Sequence, residues 1–206
     1  MRDRARQVLE HYQPVRIESE GHIPAAVLVL LYEHSGHEHV LFQVRTHHVE
    51  HHKGEISLPG GARDPEDDSL LVTALRETEE EIGVATGDIE VFGQLDDVAT
   101  RANFVMTPFV GAITEPGRYP FNFAEIEVAE LLEVPLAGLV SGAALEWTQP
   151  PSGLLMPAFR HEEHLVFGAT ARVIARFVEL LGGGAVLQPP DGAPGQPAQG
   201  AGQQRG

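Results

Sequence analysis

The chain has 206 residues, 14 basic against 30 acidic, which leaves a formal net charge of −16. That length suits one domain of ordinary composition with an appendage, and the acid excess excludes broad binding to nucleic acid or to an anionic membrane, whose phosphates it repels. The absence of cysteine excludes disulfides, thiolate metal sites and a cysteine nucleophile, and a phosphorylated substrate would need a divalent cation to reverse the sign locally.

The N-terminal segment 1–13 is charged throughout, lacks the apolar run of a signal peptide, and reads as a short helix with Val8 and Leu9 on its apolar side. Residues 1–22 are expected to be an extension packed on the domain. Ala25–Tyr32 is a buried strand by its length and β-branched content, far short of the ~20 residues that span a bilayer. A cytoplasmic protein is the expectation. A turn over Glu33–His39 returns the chain as a partner strand, Val40–Arg45. Residues 46–68, rich in His, Gly, Pro and Asp, read as loop. A helix is expected over 69–83, strands over Glu90–Gly93 and Met106–Ile113, and further helices over Ile126–Leu132 and Ala169–Leu181. From Gly182 to Gly206 there are 8 Gly and 4 Pro in 25 residues, the composition of a disordered tail. The domain is therefore expected over 1–181 and the tail over 182–206, with the mixed elements forming an α/β sandwich.

The helix over 69–83 carries the chemistry. At ~100° per residue, Leu71, Leu75, Thr78 and Ile82 form one stripe, while Arg76, Glu77, Glu80 and Glu81 share the other side. Ser69 or its acidic neighbours cap the start, and Gly83 ends the helix in a left-handed conformation. Like charges at these spacings repel, so a solvated acidic face competes with a sharper reading. Three carboxylates aimed at one region are what a hard cation such as Mg²⁺ requires, with Arg76 holding one of them bidentately. Upstream, Leu58-Pro-Gly-Gly-Ala62 has the backbone freedom to turn a carbonyl toward the helix. The histidines at 34, 37 and 39 and at 47, 48, 51 and 52 read as solvated loop residues. Trp147 and Phe159 read as core or pocket wall.

Arg76-Glu77-Thr78-Glu79-Glu80-Glu81-Ile82-Gly83-Val84 resembles the Nudix hydrolase signature, Arg-Glu-U-x-Glu-Glu-x-Gly-U with U apolar. Its upstream half, Gly-x5-Glu, is altered. Five residues separate Gly61 from Asp67 and six separate it from Asp68, and the seven-residue gap back from Arg76 selects Asp68, as a one-residue insertion with Asp for Glu. Gly60-Gly61-x-x-Asp64-x-x-Asp67, followed by Thr73-Ala74-Leu75-Arg76-Glu77, resembles the coenzyme A pyrophosphatase branch of that family, as does Leu41-Phe-Gln-Val-Arg45 leading to His52-Lys-Gly54-Glu-Ile-Ser-Leu-Pro-Gly-Gly61. Leu95-Asp96, Thr100, Thr107–Gly111, Glu127–Leu136 and Phe167–Ala171 resemble the same branch. Thr46 and Glu50 stand where that motif has Ser or Ala and a second Arg.

The resemblance covers about residues 25–181 and implies a Nudix-type α/β/α sandwich with a mixed sheet. It implies hydrolysis of a nucleoside diphosphate derivative by water attack on phosphorus. Glu77, Glu80, Glu81 and the Gly60 carbonyl are the implied ligands of Mg²⁺ or Mn²⁺, with Glu77, Glu80 and Arg76 as catalytic residues. Arg76 would orient a glutamate rather than touch substrate. The base is Glu80 or a residue outside the helix such as Glu125 or Glu127. Arg45, His52 and Gly61 are the implied substrate contacts. The expected partner is a small nucleotide, with no nucleic acid or membrane, and a homodimer is compatible with the pattern. Coenzyme A, giving 3′,5′-ADP and 4′-phosphopantetheine, leads over ADP-ribose or a dinucleotide, and over a non-catalytic binding module.

Overall fold

The computed structural model describes residues 1–18, 20–46, 55–115, 117–149 and 155–183. Helix α1 (Arg2–Glu10) precedes strands β1 (Ile23–His34), β2 (His37–Arg45), β3 (Ile56–Ser57) and β4 (Gly60–Ala62). Helix α2 (Leu70–Ile82) leads to β5 (Ile89–Gln94), β6 (Val98–Ala99), β7 (Phe104–Ile113) and β8 (Val128–Pro135). Helix α3 (Leu136–Ser141), strands β9 (Leu145–Thr148), β10 (Met156–His161) and β11 (His164–Val166), and helix α4 (Gly168–Val178) complete it.

The main sheet runs β3-β2-β1-β7-β5, with β4 beside β1, β6 beside β7 and β8 beside β2. It is mixed, because β1 and β7 pair parallel while β1 and β2 pair antiparallel. Central β1 is buried on both faces, which explains its unbroken apolar run. Ala26, Leu28, Leu30 and Tyr32 face Ala74 and Ile82 of α2. Val27, Val29 and Leu31 face the other way, toward Leu139, Ile174 and Phe177 of α3 and α4. The result is an α/β/α sandwich. Strands β9 to β11 form a separate three-stranded sheet.

The structure corrects three local expectations. The turn between β1 and β2 is narrower than Glu33–His39: Ser35 and Gly36, both with positive φ, make a two-residue hairpin turn. Residues 46–68 are not all loop, for β3 and β4 lie within them. Both are too short to show a period, and they exist because β2 and β1 offer backbone partners. Residues 126–132 are not helical: β8 begins at Val128 and pairs with β2 from Arg45 to His39. A seven-residue apolar pattern fits either period, and the free edge of β2 decides it. The helical turn comes one element later, with Pro135 at the N-cap of α3.

The N-terminal segment is tied to the far end of the chain. Tyr12 OH donates to Asp96 Oδ1 at 2.6 Å, and Val15 N–H donates to the same oxygen at 2.7 Å. Arg176, on α4, donates through Nε to Asp96 Oδ2 at 2.9 Å and through Nη2 to Tyr12 OH at 2.9 Å. Tyr12→Phe should therefore cost about 1 kcal/mol, read as a fall in Tm of roughly 2–4 °C by thermal unfolding. Beyond α4 a turn, Glu179–Gly183, keeps Leu181 and Gly183 buried, two residues past the expected domain end. The remainder of the tail lies outside the described residues.

Candidate active site

Helix α2 starts where Ser69 Oγ accepts from Val72 N–H, and it stops at Gly83, whose φ of 72° is left-handed. Its seating on the sheet is rotated from the expected stripe. Thr73, Ala74, Thr78, Glu81 and Ile82 are the buried residues, while Leu71 and Leu75 are only half-buried and Val72 is exposed. The small side chains at 73, 74 and 78 let the helix sit close to β1, and the rotation carries Glu81 inward to 3 % exposure.

Glu81 is held from two sides. Its Oε2 accepts from Gly60 N–H at 2.8 Å, and its Oε1 lies 3.4 Å from Arg45 Nη1. Burial pushes its pKa up to about 7, although Gly60, Gln43 and Arg45 pull the other way. Glu77 is likewise raised, first by burial and further by Glu80 and Glu127, against the pull of Arg76. The Pro-Gly-Gly turn contributes in a manner sequence did not indicate: the Gly60 N–H is the backbone group seen facing α2. Gly61 leaves room for Glu77, whose carboxylate carbon would lie 2.6 Å from a β-carbon added there.

Arg76 contacts three carboxylates. It grips Asp67 bidentately, Nε to Oδ1 and Nη2 to Oδ2, each at 3.0 Å. Its Nη1 lies 2.9 Å from both Glu77 Oε1 and Glu80 Oε2. The acidic partner is thus Asp67, with five residues between it and Gly61, and not Asp68. Counting back from Arg76 pointed to Asp68, but Asp67 is the residue buried beneath the helix start, where Thr73 Oγ1 and Asp64 N–H also donate to it. Arg76 and these donors hold Asp67 far below the usual carboxylate range, against a smaller opposing effect of burial.

A carboxyl with a depressed folded-state pKa adds stability above its unfolded value, near ~4, and loses it as pH falls through the folded one. Asp67→Asn should therefore lower Tm at pH 7. Its deficit should shrink as pH is lowered below about 4. A constant deficit across the acid range would show that the Asp67 charge is not involved.

A loop from Ala124 to Val128 closes one side. Ala124 N–H donates to Glu81 O, and Thr46 N–H donates to Glu127 O, both at 2.9 Å. The Thr46 hydroxyl donates to Ile126 O at 2.6 Å. Thr46 therefore spends its side chain on fixing this loop, which sets Glu127 near enough to act on Glu77. Glu79 turns away and accepts from Thr86 N–H and Oγ1. Phe159 is core. His34 Nδ1 pairs with Glu133 Oε2 at 2.6 Å. Among the described residues no three His, Asp or Glu groups form a ready-made coordination shell. Arg76 and Arg45 hold the carboxylates as they stand, and Glu80, paired with Arg76, has 60 % of its side chain exposed. His47, His48, Glu50, His51, His52 and Lys53 lie outside the described residues.

The fold and this helix define a class. The chain belongs to the Nudix hydrolase family: the NUDIX domain matches residues 22–154. It is 30% identical over 176 residues to a protein described as an uncharacterized Nudix hydrolase NudL in Yersinia enterocolitica, covering 84% of this chain and 88% of that one. The NudL of Yersinia pestis (strain Pestoides F) is 39% identical over 145 residues, 69% of this chain and 72% of the other. In fold the chain is similar to a MutT/nudix family protein of Enterococcus faecalis, with a TM-score of 0.51 at 17% identity over 84% of this chain and 64% of that one. The protein is a hydrolase of a family that acts on nucleoside diphosphate derivatives and generally uses divalent metal ions. No helix among the described residues is long and apolar enough to cross a membrane.

Proposed function

We propose that the chain cleaves the pyrophosphate bond of coenzyme A or its thioesters, giving 3′,5′-ADP and 4′-phosphopantetheine. The observation that carries the hydrolytic reading is Glu81. A carboxylate buried to this degree, with a pKa pushed up to about 7, is short of positive charge, and Glu77 beside it is raised too. That deficit fits a divalent cation, and the all-oxygen donor set fits a hard one. Glu77, Glu80, Glu81 and the Gly60 carbonyl would hold Mg²⁺ or Mn²⁺. When bound, the ion would neutralise the incoming diphosphate and stabilise the charge that builds on it.

The chain's own residues then have distinct tasks. Arg76, anchored on Asp67, orients Glu77 and Glu80 rather than substrate. Arg45, at the end of β2, adds a cation beside Glu81 for a phosphate oxygen. Water attacks one phosphorus, a new P–O bond forms, the bridging P–O bond breaks, and the water's proton passes to a carboxylate. Glu80 and Glu127 are exposed carboxylates near Glu77 that suit this role. His52 and Gly61 complete the proposed substrate contacts.

Support for coenzyme A comes from the motif leading from Leu41 to Gly61. The second reading, ADP-ribose or a dinucleotide, is favoured by Glu50. An anion at a basic motif position repels a 3′-phosphate, by ~1 kcal/mol when water screens the pair, and those substrates lack that group. A panel of coenzyme A, its 3′-dephosphorylated form, ADP-ribose and a dinucleoside polyphosphate, each with Mg²⁺ and with Mn²⁺, tests the assignment. Cleavage of coenzyme A to 3′,5′-ADP is expected. Efficient hydrolysis of ADP-ribose with none of coenzyme A would replace the first reading by the second, and no hydrolysis of any would leave a binding module.

A further inference from the structure

Three buried polar atoms beside the site have no hydrogen-bond partner among the described residues: Gln43 Nε2, Gln43 Oε1 and Ser57 Oγ. Gln43 is fully buried. Strands β2 and β3 pair antiparallel and set Gln43 directly opposite Ser57, so both side chains leave the same face with β-carbons about 5 Å apart. That face looks to α2, because Leu41, two residues before Gln43, packs in the α2-side core and side chains alternate along a strand. The Gln43 amide lies against the Glu81 carboxylate and makes it more acidic. Buried polar groups are nearly always paired, since leaving one unpaired forfeits its hydration without return. Three such atoms in one place call for a completed arrangement.

We propose that Gln43 and Ser57 are a positioning couple for Glu81, in which Gln43 Nε2 donates to the Glu81 carboxylate and Ser57 Oγ donates to Gln43 Oε1. With Glu81 ionised, as a metal ligand must be, donor and acceptor types set this order. A carboxylate accepts, so the amide must turn its NH₂ toward it, and the amide oxygen then needs a donor, which the opposed Ser57 hydroxyl supplies. Small rotations about the two side chains close the relay and satisfy all three atoms. Glu81, gripped by Gln43 as well as by Gly60 N–H, then presents a fixed lone pair to a cation. The inference rests on Glu81 being a metal ligand.

The test is titration of the purified full-length protein with Mn²⁺ alone, followed by the electron paramagnetic resonance signal of the free ion, with no substrate present. Gln43→Leu is expected to weaken Mn²⁺ binding about tenfold, as loss of a ligand-orienting partner does. Ser57→Ala should weaken it less, and Ser57→Thr, which keeps the hydroxyl, should restore it. Because Ser57 acts only through Gln43, the double variant should be no worse than Gln43→Leu. In turnover, kcat should fall while KM stays within about twofold. Wild-type affinity in Gln43→Leu, or additive losses in the double variant, would overturn the relay. Should Gln43→Leu fail to fold, Gln43→Met and the two Ser57 variants decide the same question. Failure of the wild type itself to bind Mn²⁺ would overturn the underlying reading of Glu81, and is distinguished by appearing before any substitution is made.

Discussion

Glu81→Gln is expected to stabilise the protein without metal and to lower kcat by roughly a hundredfold or more. Sequence alone suggests that this change removes an exposed like charge. The structure places Glu81 in the interior, which enlarges the stability effect. A carboxyl whose folded pKa is raised resists ionisation in the fold, so above that value the unfolded state is favoured relative to a neutral side chain. At about 1.4 kcal/mol per pH unit, the rise from 4.5 to about 7 amounts to at most about 3.5 kcal/mol. The cost is complete above pH 7 and shrinks as pH falls toward 4.5, below which both states are protonated. The substituted amide keeps an acceptor for Gly60 N–H. Metal-free Tm at pH 8 should therefore rise by several degrees, and this gain should vanish near pH 4.5. Mg²⁺ should raise the Tm of the wild type but not of the variant. A variant with normal turnover at saturating Mg²⁺ would remove Glu81 from the proposed ligand set.

Gly60→Ala and Gly61→Ala should fail in different ways. At Gly60 φ is 145°, in the region that L side chains avoid, and an added β-carbon would lie 2.2 Å from the backbone oxygen of Ala26. Backbone cannot swing aside cheaply, so a loss of about 3 kcal/mol or more is expected, with β4 detached from β1. At Gly61 the obstructing atoms are the Glu77 carboxylate, 2.6 to 2.7 Å away, at the end of a flexible side chain. The fold should survive with Tm changed by little, while Glu77 is displaced and kcat/KM falls by roughly tenfold to a hundredfold. Thermal unfolding beside steady-state kinetics separates the two. Equal Tm losses in both variants would mean that Gly61 is held by packing and not by the approach of Glu77.

The acidic helix and its limits were legible in the sequence because their causes are local. Ser69, the 3.6-residue period and Gly83 act within one or two turns, and the run from Arg76 to Val84 is specific enough to carry the family. The apolar run of β1 and the hairpin to β2 are similarly local, and so is the choice of α/β layers. Other features depended on which surfaces meet. Whether 128–135 coils or extends was decided by the open edge of β2, since an eight-residue apolar pattern suits both periods. Asp67 rather than Asp68 pairs with Arg76 because only Asp67 lies beneath the helix start, a matter of space that counting along the chain does not capture. The rotation of α2 that buries Glu81 follows from small side chains meeting β1. Gln43 and Ser57 become neighbours only through a two-residue strand whose existence depends on its partner. Local hydrogen bonding and periodicity thus determined the elements and the carboxylates, whereas burial, which sets their charge state and their partners, arises only when distant segments exclude water together.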